Sequence, residues 1–466
     1  MQPATTTTAA AACYTERDER ALVAAAPAAM AAADAMRSAN MAPTRATRRA
    51  LFDLVTAFAR ERKRKVYGGY ALNAAIVEVS PADALYADVS DPPDIEFYSP
   101  DPIADIKEMC DRAALAGYEY VQGREAMHHD TYTLSVEFTR ICDVSYMPRS
   151  VFERIPARED ASGLPLVTPD FARMDYLRML CDPYTSYWRL DRIVPRFVLL
   201  QRLFPLRAPE GGASVDRMLL RAADRCGGAL ASARAWVASR DTCVCVGLVA
   251  RLHFAGADQA KQPTQITVAS ADFEADVLSA SSLTKKRVGY GDVGDVLGRS
   301  TVFFDETTRA PFLTIFDAAG KTLPTCGRTA DGMRVAGFSY ALLTALACGF
   351  AALLNGSARR EAEFAAMAAD LCAIRRAYLD AHGKTVADAD TPFCEFSHEH
   401  VGAPMSTMRA HMKRSEAAAG ADGRKAWFTY SPASSTAKKV VRTHGRRAAK
   451  SKTTPTPTTS TTTTGI

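Results

Sequence analysis

Apolar positions between residues 45 and 150 change period several times. In "RRALFDLVTAFARERKRK", Leu51, Leu54, Val55 and Phe58 recur at helical spacing, which predicts an amphipathic helix with a strongly basic end. The stretch "VYGGYALNAAI", residues 66 to 76, reads as the end of a strand, a Gly-Gly turn and a short helix. A strand at "DIEFYS", an amphipathic helix from about Ile103 to Ala116 and a strand at "YEYVQG" follow. "TYTLSVEF" and "RICDVSYM" alternate apolar and polar residues and read as two more strands. From Pro169 to about Leu206 the pattern turns helical. Beyond "RAWVASRDTCVCVGLVARLHF" strand-like and helical segments alternate again. The pattern predicts a mixed α/β chain in which a helical middle joins two α/β blocks. The second block could be a diverged cousin of the first, but nothing in the sequence proves that.

A chain of 466 residues is too long for one core. Residues 1–40 form an Ala/Thr-rich arm, with a loose helix interrupted at Pro27 and otherwise expected to be flexible. Residues 41–165 make the first α/β domain, 166–235 a helical segment completing it, and 236–410 a C-terminal α/β domain. Residues 411–466 combine a basic cluster with a Thr/Pro tail that cannot bury a core, so a disordered tail is expected. The run "FSYALLTALACGFAALL", residues 338 to 354, carries no charge but holds Ser339 and Thr344 and is short for a membrane span. A buried core helix, with no membrane contact, is the expectation. The N-terminus lacks a basic segment followed by a leucine-rich one, so no cleaved leader is expected.

Composition narrows the picture only a little. Hydrophobic residues make up 48% and charged ones 23%, an ordinary globular balance that excludes wholesale disorder. The net charge of +5 fits a polyanionic partner without demanding one. Eleven scattered cysteines form no disulfide framework, which points to reduced thiols in an intracellular setting.

The chemistry lies in the carboxylates. Asp94 and Glu96 are two apart in "PDIEFYS", so a strand points both to one face while Ile95 and Phe97 turn to a core. Taken alone, such a pair is more often the wet face of an ordinary strand. Asp143, flanked by Ile141 and Val144, is a third strand acid, and three buried carboxylates repel one another unless a cation sits among them. Hard oxygen ligands favour Mg²⁺ or Mn²⁺ over zinc. Gly68 and Gly69 at a helix N-terminus expose bare backbone N–H groups that suit a phosphate, although tight packing alone would also explain them.

Other candidates are weaker. "SYWRLDRIVPRF" sets Arg189, Arg192 and Arg196 on one face of a helix kinked or broken at Pro195, beside Trp188 and Tyr187, which could stack on a base. A solvated face is the equal alternative. The basic run "RERKRK" is ordinarily a solvated helix end, with RNA tracking as the functional reading. Cys394, His398 and His400 in "CEFSHEH", and Cys243 and Cys245, match no paired zinc-ligand spacing. His128 and His129 read as loop residues at a wet rim.

The order "GGYALN", "PDIEFYS" and "CDVSY" resembles the nucleotidyltransferase superfamily of DNA polymerase β, and more closely the poly(A) polymerase catalytic subunits of poxviruses and related large DNA viruses. The likeness continues through "GYEYVQGREAMHHDTY" and "DPYTSYWRLDRIVPRFVLLQ" and fades beyond residue 205. It implies an α/β (α+β) nucleotidyltransferase-type mixed sheet with flanking helices, a helical middle segment, and a second α/β domain that would hold RNA or dimerise and could be a degenerate copy of the first. It further implies that Asp94, Glu96 and Asp143 bind Mg²⁺ or Mn²⁺, with Asp143 near the RNA 3′-hydroxyl. Gly68 and Gly69 would contact the phosphates of ATP, and Tyr70 and Asn73 would face the nucleotide. Two departures from the superfamily pattern stand out: Tyr70 replaces a serine after the turn, and Glu96 replaces an aspartate. The implied activity is addition of AMP to RNA 3′ ends for viral mRNA polyadenylation. The implied location is the host cytoplasm or the virion, with the nucleus left open. A homodimer or a separate processivity subunit stays open, as do a different acceptor and a catalytically silent RNA-binding scaffold.

Overall fold

Among the described residues, two eight-stranded mixed sheets organise the fold. The computed structural model describes residues 14–41, 44–86, 93–126, 130–206, 215, 227–256, 263–290, 298–396, 399–402 and 428–432. The first sheet contains β1 (Lys65–Tyr67), β2 (Ile95–Ser99), β3 (Gln122–Glu125), β4 (Thr131–Val136), β5 (Thr139–Tyr146), β6 (Ala157–Glu159), β7 (Pro165–Val167) and β16 (Thr429–Tyr430). Its order is β16-β3-β4-β5-β2-β1-β7-β6. The second contains β8 (Cys243–Val246), β9 (Ile266–Ser270), β10 (Arg287–Tyr290), β11 (Ser300–Phe304), β12 (Pro311–Asp317), β13 (Leu323–Arg328), β14 (Arg334–Ala336) and β15 (His400–Val401), in the order β10-β11-β12-β9-β8-β14-β13-β15.

The two sheets repeat one topology. β1 is antiparallel to β2 and parallel to β7, and β2 is parallel to β5. In the same way β8 is antiparallel to β9 and parallel to β14, and β9 is parallel to β12. Each first strand is followed by a glycine in the left-handed region, Gly68 at φ 70° and Gly247 at φ 61°, which opens a helix. The kinship that the sequence left open is therefore visible in strand order, direction and turn.

Local chemistry explains why the first elements form. Helix α1 (Glu16–Met41) runs exposed and unbroken through Pro27, where the sequence predicted an interruption. Helix α2 (Arg45–Glu61) starts where the Thr44 side chain accepts from the Thr47 N–H at 3.2 Å, a side-chain cap on an otherwise unpaired donor. Its Leu51, Val55, Phe58 and Ala59 are buried on the face that meets the sheet. Helix α3 (Gly68–Val79) follows β1, and α4 (Pro102–Leu115) has Pro102 in its first turn, where no N–H is required. The third strand begins at Gln122, later than "YEYVQG" predicted.

In β8 the period of two splits the core. Val244 and Val246 face a cluster shared with the first sheet, while Cys243 and Cys245 face a second cluster with Val268, Phe303, Phe312 and Ile315. The apolar run is the helix Phe338–Leu354, largely buried, as its composition predicted. Phe350 of this helix meets Phe171 edge-on at 5.5 Å, and the Leu354 carbonyl accepts from Arg154, so the helix ties the two halves together. Among the described residues no helix is long and apolar enough to cross a membrane.

The tail expected beyond residue 411 contributes an exception. Tyr430 pairs with Gly123, making β16 an edge strand, and its hydroxyl donates to Asp111 at 2.6 Å. Residues 403–427 and 433–466 lie outside the described residues, as do His128, His129 and His398.

The basic run leading into β1 divides: Arg60, Arg62 and Lys63 stay exposed, while Arg64 and Lys65 turn into the fold. Arg62 pairs with Glu108, Lys65 donates to the Phe152 and Ile155 carbonyls, and Arg64 grips Asp105 through two bonds of 2.7 and 2.8 Å. The Arg64–Asp105 pair is buried, with side chains 14% and 5% exposed. Truncating one partner leaves the other charge uncompensated. Asp105→Ala should cost about 3 kcal/mol in urea unfolding, and the double change Arg64→Met, Asp105→Leu should recover much of it. A neutral single change would contradict this account.

Candidate active site

Parallel pairing of β2 with β5 places Glu96 beside Asp143, and Ile95 beside Cys142. Because side chains alternate, Ile95, Phe97, Cys142 and Val144 enter the core, and both acids share the opposite face. Asp94, just before β2, has the parity of Glu96. Asp143 is buried and accepts from the Thr133 hydroxyl at 2.7 Å, its cross-strand neighbour. Asp94 is half exposed. Arg140 lies between them: its Nη2 donates to Asp94 Oδ2 at 2.5 Å and its Nη1 to Asp143 Oδ2 at 3.2 Å.

Glu96 is the strained member of the set. Burial, followed by the charge of Asp143, pushes its carboxyl up to about 7, and Asp175 adds to the effect. Arg189 and Arg140 oppose it without restoring the ordinary value. Among the described residues no three His, Cys, Asp or Glu side chains stand close enough, as placed, to hold a metal ion. The donor set itself, carboxylate oxygens from adjacent strands around a place already holding a cation, fits Mg²⁺ or Mn²⁺.

The Gly-Gly turn sits directly over Glu96, since Tyr67 pairs with Glu96 across β1 and β2. A Cβ on Gly68 would lie 1.8 Å from Glu96 Oε2, and the φ of 70° is itself hostile to a side chain. A Cβ on Gly69 would lie 2.2 Å from Tyr86 Oη and 3.0 Å from Arg196 Nη1. The glycines thus admit a carboxylate on one side and a guanidinium on the other. Arg196 also hydrogen-bonds the hydroxyls of Tyr86 and Tyr176.

The remaining expected residues are placed as follows. Arg189 acts electrostatically on Glu96, Arg192 is exposed, and the helix Leu190–Leu203 continues through Pro195 without a break. Trp188 is partly exposed and meets Tyr187 edge-on at 5.2 Å. Tyr70 packs on Phe52 of α2, with ring centroids 5.6 Å apart, and Asn73 spends its amide oxygen on the Leu85 N–H at 2.7 Å. Neither is brought to the carboxylates: one serves packing and the other holds a loop. Cys243 and Cys245 are buried in β8, and Cys394 is unpaired. Sequence reasoning missed Arg140, Thr133, Asp175 and Tyr86, which reach the site only through strand pairing and helix packing.

The second sheet is an internal comparison. Its registers put Gln265, Thr267 and Thr314 at the positions of Asp94, Glu96 and Asp143. Gln265 Nε2 donates to Thr314 Oγ1 at 2.5 Å, so the acid site there is replaced by a neutral hydrogen bond.

The class that fold and site define is a two-sheet mixed α/β protein with an acidic cluster beside a glycine turn. The crystal structure of the Megavirus polyadenylate synthase superimposes with a TM-score of 0.73 at 24% identity, covering 92% of this chain and 89% of that one. Residues 53–186 match the family model described as "Poly(A) polymerase catalytic subunit", the resemblance read in the sequence. Over 165 residues the chain is 39% identical to a protein of Acanthamoeba polyphaga mimivirus named "Putative poly(A) polymerase catalytic subunit", covering 35% of this chain and 28% of the relative. A protein of the same name from African swine fever virus (isolate Pig/Kenya/KEN-50/1950) is 26% identical over 163 residues, covering 34% of each chain. The matches thus span about a third or less of these curated relatives, and the family model falls on residues that build the first sheet and the helices after it.

A raised carboxyl value makes stability depend on pH. With the folded value near 7 and the ordinary one at 4.5, the contribution of Glu96 is full below pH 4.5 and is lost as pH rises to about 7. Without divalent ions, Glu96→Gln should remove on the order of 2 kcal/mol of pH-dependent destabilisation, read as parent and variant melting curves diverging between pH 5 and 7.5. Parallel profiles would contradict it.

Proposed function

We propose that this chain is a template-independent nucleotidyltransferase that adds AMP from ATP to RNA 3′ ends, serving viral mRNA polyadenylation. The observation that carries the reading is the placing of Glu96 beside Asp143 on adjacent strands next to a left-handed glycine turn, with Asp94 joined to Asp143 through Arg140 and Glu96 raised by burial and by the charge of Asp143. Held by these three carboxylates, Mg²⁺ or Mn²⁺ would supply the positive charge that lowers the pKa of the attacking hydroxyl and neutralises the leaving group.

The chain's own groups do the positioning. Backbone N–H groups of the α3 N-terminus and the Arg196 guanidinium beside Gly69 would hold the triphosphate. Thr133 fixes the Asp143 carboxylate, and Arg189 adds positive charge beside Glu96. The RNA 3′-hydroxyl gives its proton to the Asp143 carboxylate, and its oxygen bonds to the α-phosphorus. The bond from that phosphorus to the bridging oxygen breaks, and pyrophosphate departs. Against a silent scaffold stands the second sheet, where the same topology has lost all three acids and makes a neutral bond instead.

The test is primer extension of a short RNA with each nucleoside triphosphate in Mg²⁺ or Mn²⁺. Long tails with ATP alone support the reading. No extension, or equal use of all four, overturns it. Asp143→Asn should lower extension by about a thousandfold while ATP binding stays near the parent value. Equal turnover in variant and parent would contradict the role of Asp143.

Gly68→Ala gives an independent check. Strain at φ 70° and the clash with Glu96 should together abolish extension and lower stability by about 1 kcal/mol or more. A fully active Gly68→Ala protein would remove the turn from the site.

A further inference from the structure

Arg140 reaches the carboxylates through an irregularity in β5. Residues three apart on a regular strand face opposite ways, so Arg140 should point away from Asp143. The β4–β5 register shifts between Leu134 and Ser135, pairing Leu134 with Cys142 but Ser135 with Arg140 and leaving Ile141 as an extra residue. This bulge turns Arg140 onto the Asp143 face, one known use of such insertions. The second sheet has the same shift between Phe303 and Phe304, pairing Phe303 with Leu313 and Phe304 with Pro311. Pro311 therefore stands where Arg140 does, and Gln265 and Thr314 stand where Asp94 and Asp143 do. The bulge is present in both sheets, whereas the guanidinium accompanies only the sheet that keeps the acids.

We propose that Arg140 is the resident counter-cation of the carboxylate cluster, displaced when a divalent cation binds Asp94, Glu96 and Asp143. The inference rests on the metal reading above. In the free protein the guanidinium bridges Asp94 and Asp143 and relieves their repulsion. The bound ion takes over both oxygens, and two positive charges cannot share that space. Arg140 then swings outward from a position already half exposed. It lowers affinity for the divalent ion while keeping the empty cluster intact.

Mn²⁺ titration of the full chain by calorimetry, comparing parent with Arg140→Gln, tests the exchange. Two partly exposed ion pairs are removed, so the variant should bind Mn²⁺ about tenfold more tightly and, in chelator, melt at a lower temperature. Arg140→Lys, which keeps the charge but not the two-pronged reach, should fall between them. In the unaltered protein, labelling of arginines by phenylglyoxal, located by mass spectrometry, should rise severalfold at Arg140 on Mn²⁺ addition and stay constant at Arg62. This arm decides the matter if the variant does not fold. Mn²⁺ binding to the parent with no gain in Arg140→Gln, or with unchanged labelling of Arg140, overturns the exchange alone. Absence of Mn²⁺ binding to the parent overturns the metal reading and the exchange with it.

Discussion

Two carboxylates on adjacent strands and a third just before one of them repel one another, and the arrangement around them answers that repulsion. β2 and β5 fix Glu96 beside Asp143, and strand parity leaves neither side chain free to turn into the core. Asp143 is partly answered by Thr133 and Arg140, and Asp94 by Arg140, whereas Glu96 is left with a carboxyl near 7. A sheet without charges at these positions would have no need of this. The second sheet shows as much, since its equivalent positions hold Gln265, Thr267 and Thr314.

The glycine turn belongs to the same constraint. Gly68 gives Glu96 room to lie against the backbone, and Gly69 lets Tyr86 and Arg196 close over the helix start. Negative and positive groups therefore meet at the mouth of one helix, a setting matched to a phosphate chain and the cation that accompanies it. The rest of the fold holds this geometry in place. The Arg64–Asp105 pair anchors α4 beneath the strands, and the Phe338–Leu354 helix fastens the second sheet to the first.

Legibility in the sequence followed the range of each interaction. The D-x-E parity, the acid at 143 and the Gly-Gly turn are local signals, and the structure sets Glu96 beside Asp143 and under that turn. Arg140 was hidden because one inserted residue, Ile141, reverses the face it occupies. Asp175 and Tyr86 arrive from a helix and a loop whose packing no local pattern encodes. Tyr70 and Asn73 sit on the helix after the turn, but a 3.6-residue period carries them toward Phe52 and Leu85. The helix through Pro27 and the added strand at Thr429–Tyr430 were likewise beyond a composition argument. The repeat of the sheet topology was invisible because pairing order is conserved while the acids are not.

The central claim is that the carboxylates at 94, 96 and 143 form one divalent-cation site. Anomalous diffraction from crystals grown with Mn²⁺ and a non-hydrolysable ATP analogue tests it most directly. The account predicts manganese peaks coordinated by these three side chains, with Arg140 withdrawn from Asp94 and Asp143. Manganese bound elsewhere, with the arginine still bridging the two aspartates, would contradict it.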